Sequence, residues 1–130
     1  MTIAWTHRVE LPAEPASVSK ARWFVRSWLR EHALAELEGD VQLVVSELAT
    51  NAVLHAGTPF IVTVHGSDTR LVVLVQDGSP VHPALVTADP LTGAGRGVSI
   101  VDAVSQDWGS HDLPPAAKSV WAAFNLPVST

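Results

Sequence analysis

The sequence predicts an α+β domain in which helices cover one face of a mixed β-sheet. Two early stretches of the chain repeat apolar residues at helical spacing. Several shorter runs are rich in valine and isoleucine and have the length of strands. Clusters of glycine and proline separate these runs, which gives the element order β-α-α-β-β-loop-α-β-β. The 130 residues fit a single domain, 1–130.

The first half of the chain is predicted to form one strand and two helices. The strand covers 5–11 and ends at a pair of prolines. The helices cover about 17–32 and about 40–56, and a Gly-Thr-Pro sequence stops the second one. The segment 38–40 is expected to break the chain between the helices, with Asp40 as the N-cap of the second.

The second half of the chain is predicted to complete the sheet. Four strands are expected, at 60–65, 71–76, 108–111 and 118–124. The second of these runs is apolar on both faces, which indicates a central position in the sheet. A helix over about 98–105 follows the segment 77–97, which is rich in glycine and proline. Loops of that length in a small domain are usually functional or disordered.

Composition excludes several classes of function. The net charge of −5 argues against nonspecific nucleic-acid binding, which depends on lysine and arginine neutralising phosphates. The chain has no cysteine, so disulfides, zinc–thiolate sites and cysteine nucleophiles are excluded. The N-terminus lacks the apolar core of a signal peptide, and no stretch is long and apolar enough to span a membrane. A cytoplasmic protein is therefore expected.

The strongest candidate site lies in the predicted second helix. Glu47, Asn51 and His55 recur every fourth residue and therefore lie along one side of it. The helix is otherwise mostly apolar, and a carboxylate among aliphatic neighbours is costly unless something pairs with it. An asparagine oxygen suits Mg²⁺, and a glutamate can orient or deprotonate an attacking hydroxyl. The pattern indicates a metal-bound phosphate site; a solvent-facing helix edge or a buried polar network fits the spacing equally well.

Two further candidates flank the glycine-rich segment. Asp77 directly follows the central strand, where ligand clefts open in α/β sheets, and its carboxylate can accept the amine of adenine. A turn-forming aspartate before Gly78 is the alternative. Gly95, Arg96 and Gly97 precede a helix, whose N-terminal N–H groups and dipole favour a polyanion. A flexible loop that merely ends in a helix is the alternative there.

Two weaker indications complete the set. Ser119, on the last strand, is placed to bond a base together with Asp77. Arg22, Arg26 and Arg30 recur every fourth residue on one face of the first helix and are candidates for contact with an acidic partner. A solvated helix face explains the same arginines.

Taken in order, these motifs resemble those of the histidine-kinase-like (GHKL) ATPase superfamily, in particular its short actinobacterial anti-sigma-factor serine/threonine kinases. The segment 45–56, VSELATNAVLHA, is similar to their N-box almost residue for residue. The segment 95–101, GRGVSIV, and the following Trp108-Gly109 are similar to the second glycine box and the strand after it. The resemblance covers about 8–126.

The resemblance implies a fold, two cofactors and roles for the N-box residues. The fold is a two-layer α/β sandwich, the Bergerat fold, with a mostly antiparallel sheet and helices on one face. The cofactors are ATP and Mg²⁺. By this analogy Asn51 binds Mg²⁺, Glu47 is the general base, and His55 lines the ATP site.

It also implies roles for the remaining candidates. Asp77 would bind adenine, through a water shared with Ser119. Gly95, Arg96 and Gly97 would close on the phosphates as part of a lid.

The function implied is that of an ATP-dependent protein kinase in transcription regulation. It would phosphorylate a small anti-anti-sigma-like protein and hold or release a sigma factor, without direct nucleic-acid or membrane contact, and two copies could pair. Alternatives are a non-catalytic module that sequesters a partner, and a bare ATPase. The first glycine box of the family reads Asp-x-Gly-x-Gly, whereas Ser79 and Val81 stand at its glycine positions here, which favours the non-catalytic alternative.

Overall fold

In the computed structural model, the described residues are 4–79 and 96–126. The elements in these ranges are β1 (Trp5–Leu11), α1 (Ala16–Glu31), α2 (Glu38–Asn51), β2 (Phe60–Gly66), β3 (Arg70–Asp77), α3 (Arg96–Val104), β4 (Asp107–Leu113) and β5 (Ala117–Asn125). A 3₁₀ turn, Ala35–Leu37, precedes α2, and a π-helical turn, Ala52–Ala56, extends it. The predicted order of helices and strands is confirmed, whereas most of the predicted loop over 77–97 lies outside the described residues.

The strands form a five-stranded sheet in the order β1-β2-β3-β5-β4. Every strand pairing among the described residues is antiparallel. The strand β3 lies at the centre of the sheet, as its apolar character on both faces predicts. The fold is thus α+β, with helices on one side of an antiparallel sheet.

The helices cover one face of the sheet and form the core with it. Side chains in β2 and β3 alternate between fully buried and partly exposed, the pattern of strands with one covered face. The core joins aliphatic side chains of α1 and α2 to the buried residues of the central strands, among them Val25, Leu29, Val44, Val45, Phe60, Val62, Val64, Leu71 and Val73. Among the described helices, none combines the length and apolar character needed to cross a bilayer.

The predicted break between the two helices is wrong in detail. The helix α2 begins at Glu38, so the segment 38–40 forms its first turn, and no side chain caps it. Acidic residues are favourable in a first turn, because they lie near the positive end of the helix dipole. The Arg30 guanidinium also bonds the Glu38 carboxylate, and this bond holds the pKa of Glu38 below its ordinary value. The N–H of Glu38 donates to the Ala35 carbonyl of the preceding 3₁₀ turn, so the helix continues from that turn and starts without a capping side chain.

Four aromatic rings join the edge strand β1 to the end of α1. The Trp5 and His32 rings stack with centroids 3.6 Å apart, and the His7 and Trp28 rings stack at 3.4 Å. The two imidazoles meet through their Nε2 atoms at 3.0 Å, so one ring donates and the other accepts. Burial, reinforced by the neighbouring His7, lowers the pKa of His32, and Glu31 opposes this shift.

We expect the free energy of unfolding to fall as the pH is lowered through 6.5. Because the pKa of His32 is lower in the folded chain, the unfolded chain takes up that proton first, and stability is lost between the ordinary pKa and the folded one. Urea unfolding across pH 5.0–8.0 measures this slope. A His32→Gln variant should have a flatter slope than the wild type, whereas His55→Gln, at an exposed histidine of the π turn, should retain it. An equal slope in the His32→Gln variant would contradict the prediction.

Candidate functional site

The N-box residues lie at the end of α2 that leads into the π turn. Glu47 and Asn51 are one turn apart and both half-buried, whereas His55 is exposed and lies in the π turn. The four-residue spacing aligns Glu47 with Asn51 on one side of α2, and His55 follows four residues later within the π turn. Gly57 ends the turn with φ 64°, and its N–H donates to the Ala52 carbonyl at 3.1 Å.

Glu47 and Asn51 have polar side chains in an apolar helix. The helix positions next to them, Leu48 and Ala52, are buried in the core. Within the part of the chain that the structure describes, no side chain or backbone group bonds the Glu47 carboxylate or the Asn51 amide. Half-buried polar groups without protein partners are available to a ligand.

The end of α2 is tied to the end of the central strand. Both α2 and the π turn contact β3. Just after the π turn, the Thr58 hydroxyl accepts a hydrogen bond of 2.8 Å from the N–H of Gly78, the residue that follows Asp77. The structure therefore brings the end of the N-box helix and the Asp77 segment to one edge of the domain.

Asp77 is not free at that edge, because it forms a buried ion pair. The Lys118 ammonium donates to both carboxylate oxygens of Asp77 at 2.9 Å. The N–H of Ser79 donates to Asp77 Oδ1 at 2.9 Å. Asp77 is only 5% exposed and Lys118 only 7%. The carboxylate expected to accept adenine thus has three protein donors.

The register of the sheet explains why lysine, and not serine, meets Asp77. In the antiparallel pair of β3 and β5, Lys118 lies directly opposite Asp77, and Ser119 lies opposite Gln76. Side chains directly opposite each other share a face, so Ser119 faces away from Asp77 and the helices. The structure does not bring Asp77 and Ser119 together as the sequence analysis expected. Sequence reasoning missed Lys118 as a site residue; strand alternation counted from a known register would have found it.

The other predicted residues are placed only in part. Gly95 lies outside the described residues, and Arg96 and Gly97 form the first turn of α3. Of the arginine stripe on α1, Arg22 donates to the Ser46 hydroxyl of α2 at 3.1 Å, and Arg30 binds Glu38. Two of the three proposed partner contacts therefore also serve packing within the domain.

The candidate residues were expected to bind two parts of a nucleotide, the phosphates and the base, and they suit these two parts to different degrees. The phosphate end has an unpartnered amide and carboxylate on α2 and a helix that begins after a glycine-rich sequence. Among the described residues, no group of three or more histidine, cysteine or acidic side chains forms a metal cluster. The oxygens of Asn51 and Glu47 are of the kind that Mg²⁺ prefers, and this ion is usually held by few protein oxygens together with substrate phosphates. The base end does not fit as found, because Lys118 holds Asp77.

Comparisons with known proteins agree with this architecture. A crystal structure titled the SiaB–SiaC complex from Pseudomonas aeruginosa matches with a TM-score of 0.58 and 17% identity, over 92% of this chain and 89% of that chain. This likeness concerns the fold. None of the curated proteins compared with the chain matches it. The family model of the histidine kinase-like ATPase domain matches residues 11–123. The chain therefore belongs to the histidine kinase-like ATPase domain family.

Proposed function

We propose that the chain is an ATP- and Mg²⁺-dependent serine/threonine kinase of the anti-sigma-factor type. The observation that carries the proposal is the pair Glu47 and Asn51, half-buried on one side of α2 without protein partners among the described residues, in a chain of this ATPase family. The substrate proposed is a small anti-anti-sigma-like protein, and a sigma factor is the further partner. Both are expected in the cytoplasm, and two copies of the chain could pair.

The chemistry assigned to the chain is mostly that of positioning. Phosphoryl transfer needs charge neutralisation and alignment more than covalent catalysis, and Mg²⁺ supplies the neutralisation when bound. Asn51 would hold the metal through its amide oxygen. Glu47, one helical turn earlier, would orient the substrate hydroxyl and accept its proton. The first turn of α3, at Arg96 and Gly97, would direct N–H groups at the phosphates.

A protein substrate must reach Glu47, and the surface beside it suits a protein. Leu54, in the π turn that follows Asn51, is 70% exposed, and Leu43, one turn before Glu47, is 41% exposed. A protein partner that covered these two leucines would bury apolar surface that is now exposed to water. The matching structure from Pseudomonas aeruginosa is of a complex, which supports a protein partner for this chain as well.

The second candidate is a non-catalytic module that sequesters its partner. The ion pair between Asp77 and Lys118 favours it, because the carboxylate that would select adenine is already bonded. Ser79, in place of a glycine of the first glycine box, favours it too. The two candidates differ in whether the chain transfers phosphate, and the following two experiments separate them.

We expect Asn51→Ala to weaken Mg²⁺-dependent ATP binding by at least about tenfold, because the metal loses its protein oxygen. Calorimetric titration with ATP, with and without Mg²⁺, measures the effect. The matched control is Gln42→Ala, because Gln42 lies on the opposite side of α2 by helical spacing. Equal affinities of the Asn51→Ala variant and the wild type would exclude Asn51 as the metal ligand. Absence of any Mg²⁺-dependent binding in the wild type would favour the non-catalytic candidate.

We expect Glu47→Ala to lower phosphate transfer to an anti-anti-sigma-like protein from the same genome by about 10²–10⁴-fold, the usual contribution of a general base. ATP affinity should change little, because the proposed role concerns the attacking hydroxyl. Mass spectrometry of the acceptor measures transfer. Glu47→Gln, which preserves the shape of the side chain, should be equally impaired. Retained transfer in either variant would rule out Glu47 as the base.

A further inference from the structure

We infer that Lys118 is an internal competitor for the base end of the nucleotide site: it must leave Asp77 before a purine amine can bind there. This inference rests on the proposed nucleotide-binding function and deepens it. Lys118 then determines how strongly the site selects the base, and through the base how tightly it holds the whole nucleotide.

The first argument concerns the capacity of the Asp77 carboxylate. A carboxylate accepts about four hydrogen bonds, two at each oxygen. Lys118 takes one at each oxygen, and the Ser79 N–H takes another at Oδ1. At most one accepting position is left, on Oδ2. Since Asp77 is 5% exposed, an incoming base cannot approach the carboxylate in this arrangement.

The second argument concerns charge. An ammonium bonded to both oxygens of a carboxylate is a charge-assisted pair, roughly twice as strong as neutral hydrogen bonds. The amine of a purine is a neutral donor. When a base replaces Lys118, Asp77 therefore exchanges a stronger hydrogen bond for a weaker one. The difference in free energy between the two bonds lowers the affinity for the base.

The third argument concerns the fold. The partners lie directly opposite each other in the register of β3 and β5, so the pairing follows from the position of both residues in the sheet. Lys118 is 7% exposed, and its stem occupies space on the helix-covered face. Displacement therefore requires the side chain to change rotamer while its backbone stays in the strand. A smaller neutral residue at this position would leave Asp77 open to a ligand donor.

The chain contains two lysines, Lys20 and Lys118, which permits a direct test in the wild-type protein. In protein labelled with [¹⁵N]lysine, the ammonium of Lys118 should exchange slowly with water, since it is buried and bonded, whereas that of exposed Lys20 should exchange fast. Saturation with ATP and Mg²⁺ should abolish the protection of Lys118. A protected Lys118 signal that persists at saturation would overturn the inference.

Affinity measurements on variants provide the second test. Lys118→Thr should bind adenosine more tightly than the wild type by roughly ten- to a hundredfold, the value of a hydrogen bond to a charged group. Lys118→Arg, which keeps the cation, and Lys20→Thr, which removes the exposed lysine, should show no gain. Asp77→Asn combined with Lys118→Thr should also show none, because the carboxylate is gone. No gain in Lys118→Thr itself would overturn the inference.

Separate probes distinguish this inference from the proposed function. Adenosine tests the base end alone, and inorganic triphosphate with Mg²⁺ tests the phosphate end alone. Triphosphate affinity should be the same in the wild type and Lys118→Thr. If neither the wild type nor Lys118→Thr binds triphosphate, the proposed function is contradicted. If Lys118→Thr nevertheless binds adenosine more tightly than the wild type, the role of Lys118 is supported. If Lys118→Thr fails to fold, the exchange measurement on the wild-type protein decides.

Discussion

The antiparallel pairing of β3 with β5 is the constraint on which both the core and the candidate site depend. β3 is the central strand, and its buried side chains form the floor on which α2 packs. The same register places Lys118 opposite Asp77 at the end of the pair. A shift of one residue would turn every side chain of β5 to the other face, and would bring Ser119 to Asp77 instead. The core resists such a shift, because Val120, Ala122 and Phe124 are buried beside Val75, Val73 and Leu71.

The helix α2 meets two demands that conflict over most of its length. Its apolar residues must pack on the sheet, while the proposed function requires Glu47 and Asn51 to remain able to bind a ligand. The two kinds of residue lie on different sides of the helix. Val44, Val45 and Leu48 are buried in the core, and the two polar side chains are half-buried at the margin of this buried side. The π turn and Gly57 then end the helix and direct the chain into β2, so the polar margin comes to the edge where β3 ends.

Most of the fold could be predicted from the sequence, because periodicity and glycine or proline breaks are local signals. β1 was predicted at its observed bounds, and the central place of β3 followed from its two apolar faces. The start of α2 was not predicted, because the helix continues from the preceding 3₁₀ turn and does not begin at a capping side chain. Spacing alone singled out Glu47, Asn51 and His55 as a candidate site, and the family resemblance identified the segment as an N-box. The ion pair between Asp77 and Lys118 could not, since it depends on a strand register between residues 41 positions apart.

The two ends of the candidate site therefore differ in what they offer a ligand. Glu47 and Asn51 have no partners among the described residues, so a ligand there displaces solvent but breaks no hydrogen bond to those residues. Asp77 already accepts three hydrogen bonds from the protein. A ligand gains free energy there only if its own bonds are stronger than those that it replaces. Under the proposed function, affinity should accordingly be dominated by Glu47 and Asn51 at the proposed phosphate and metal end, and selectivity for the base should be weak while Lys118 remains in place. This difference between the two ends is expected for an anti-sigma-type kinase and for a sequestering module alike. The two proposals differ in whether Glu47 contacts the hydroxyl of a substrate.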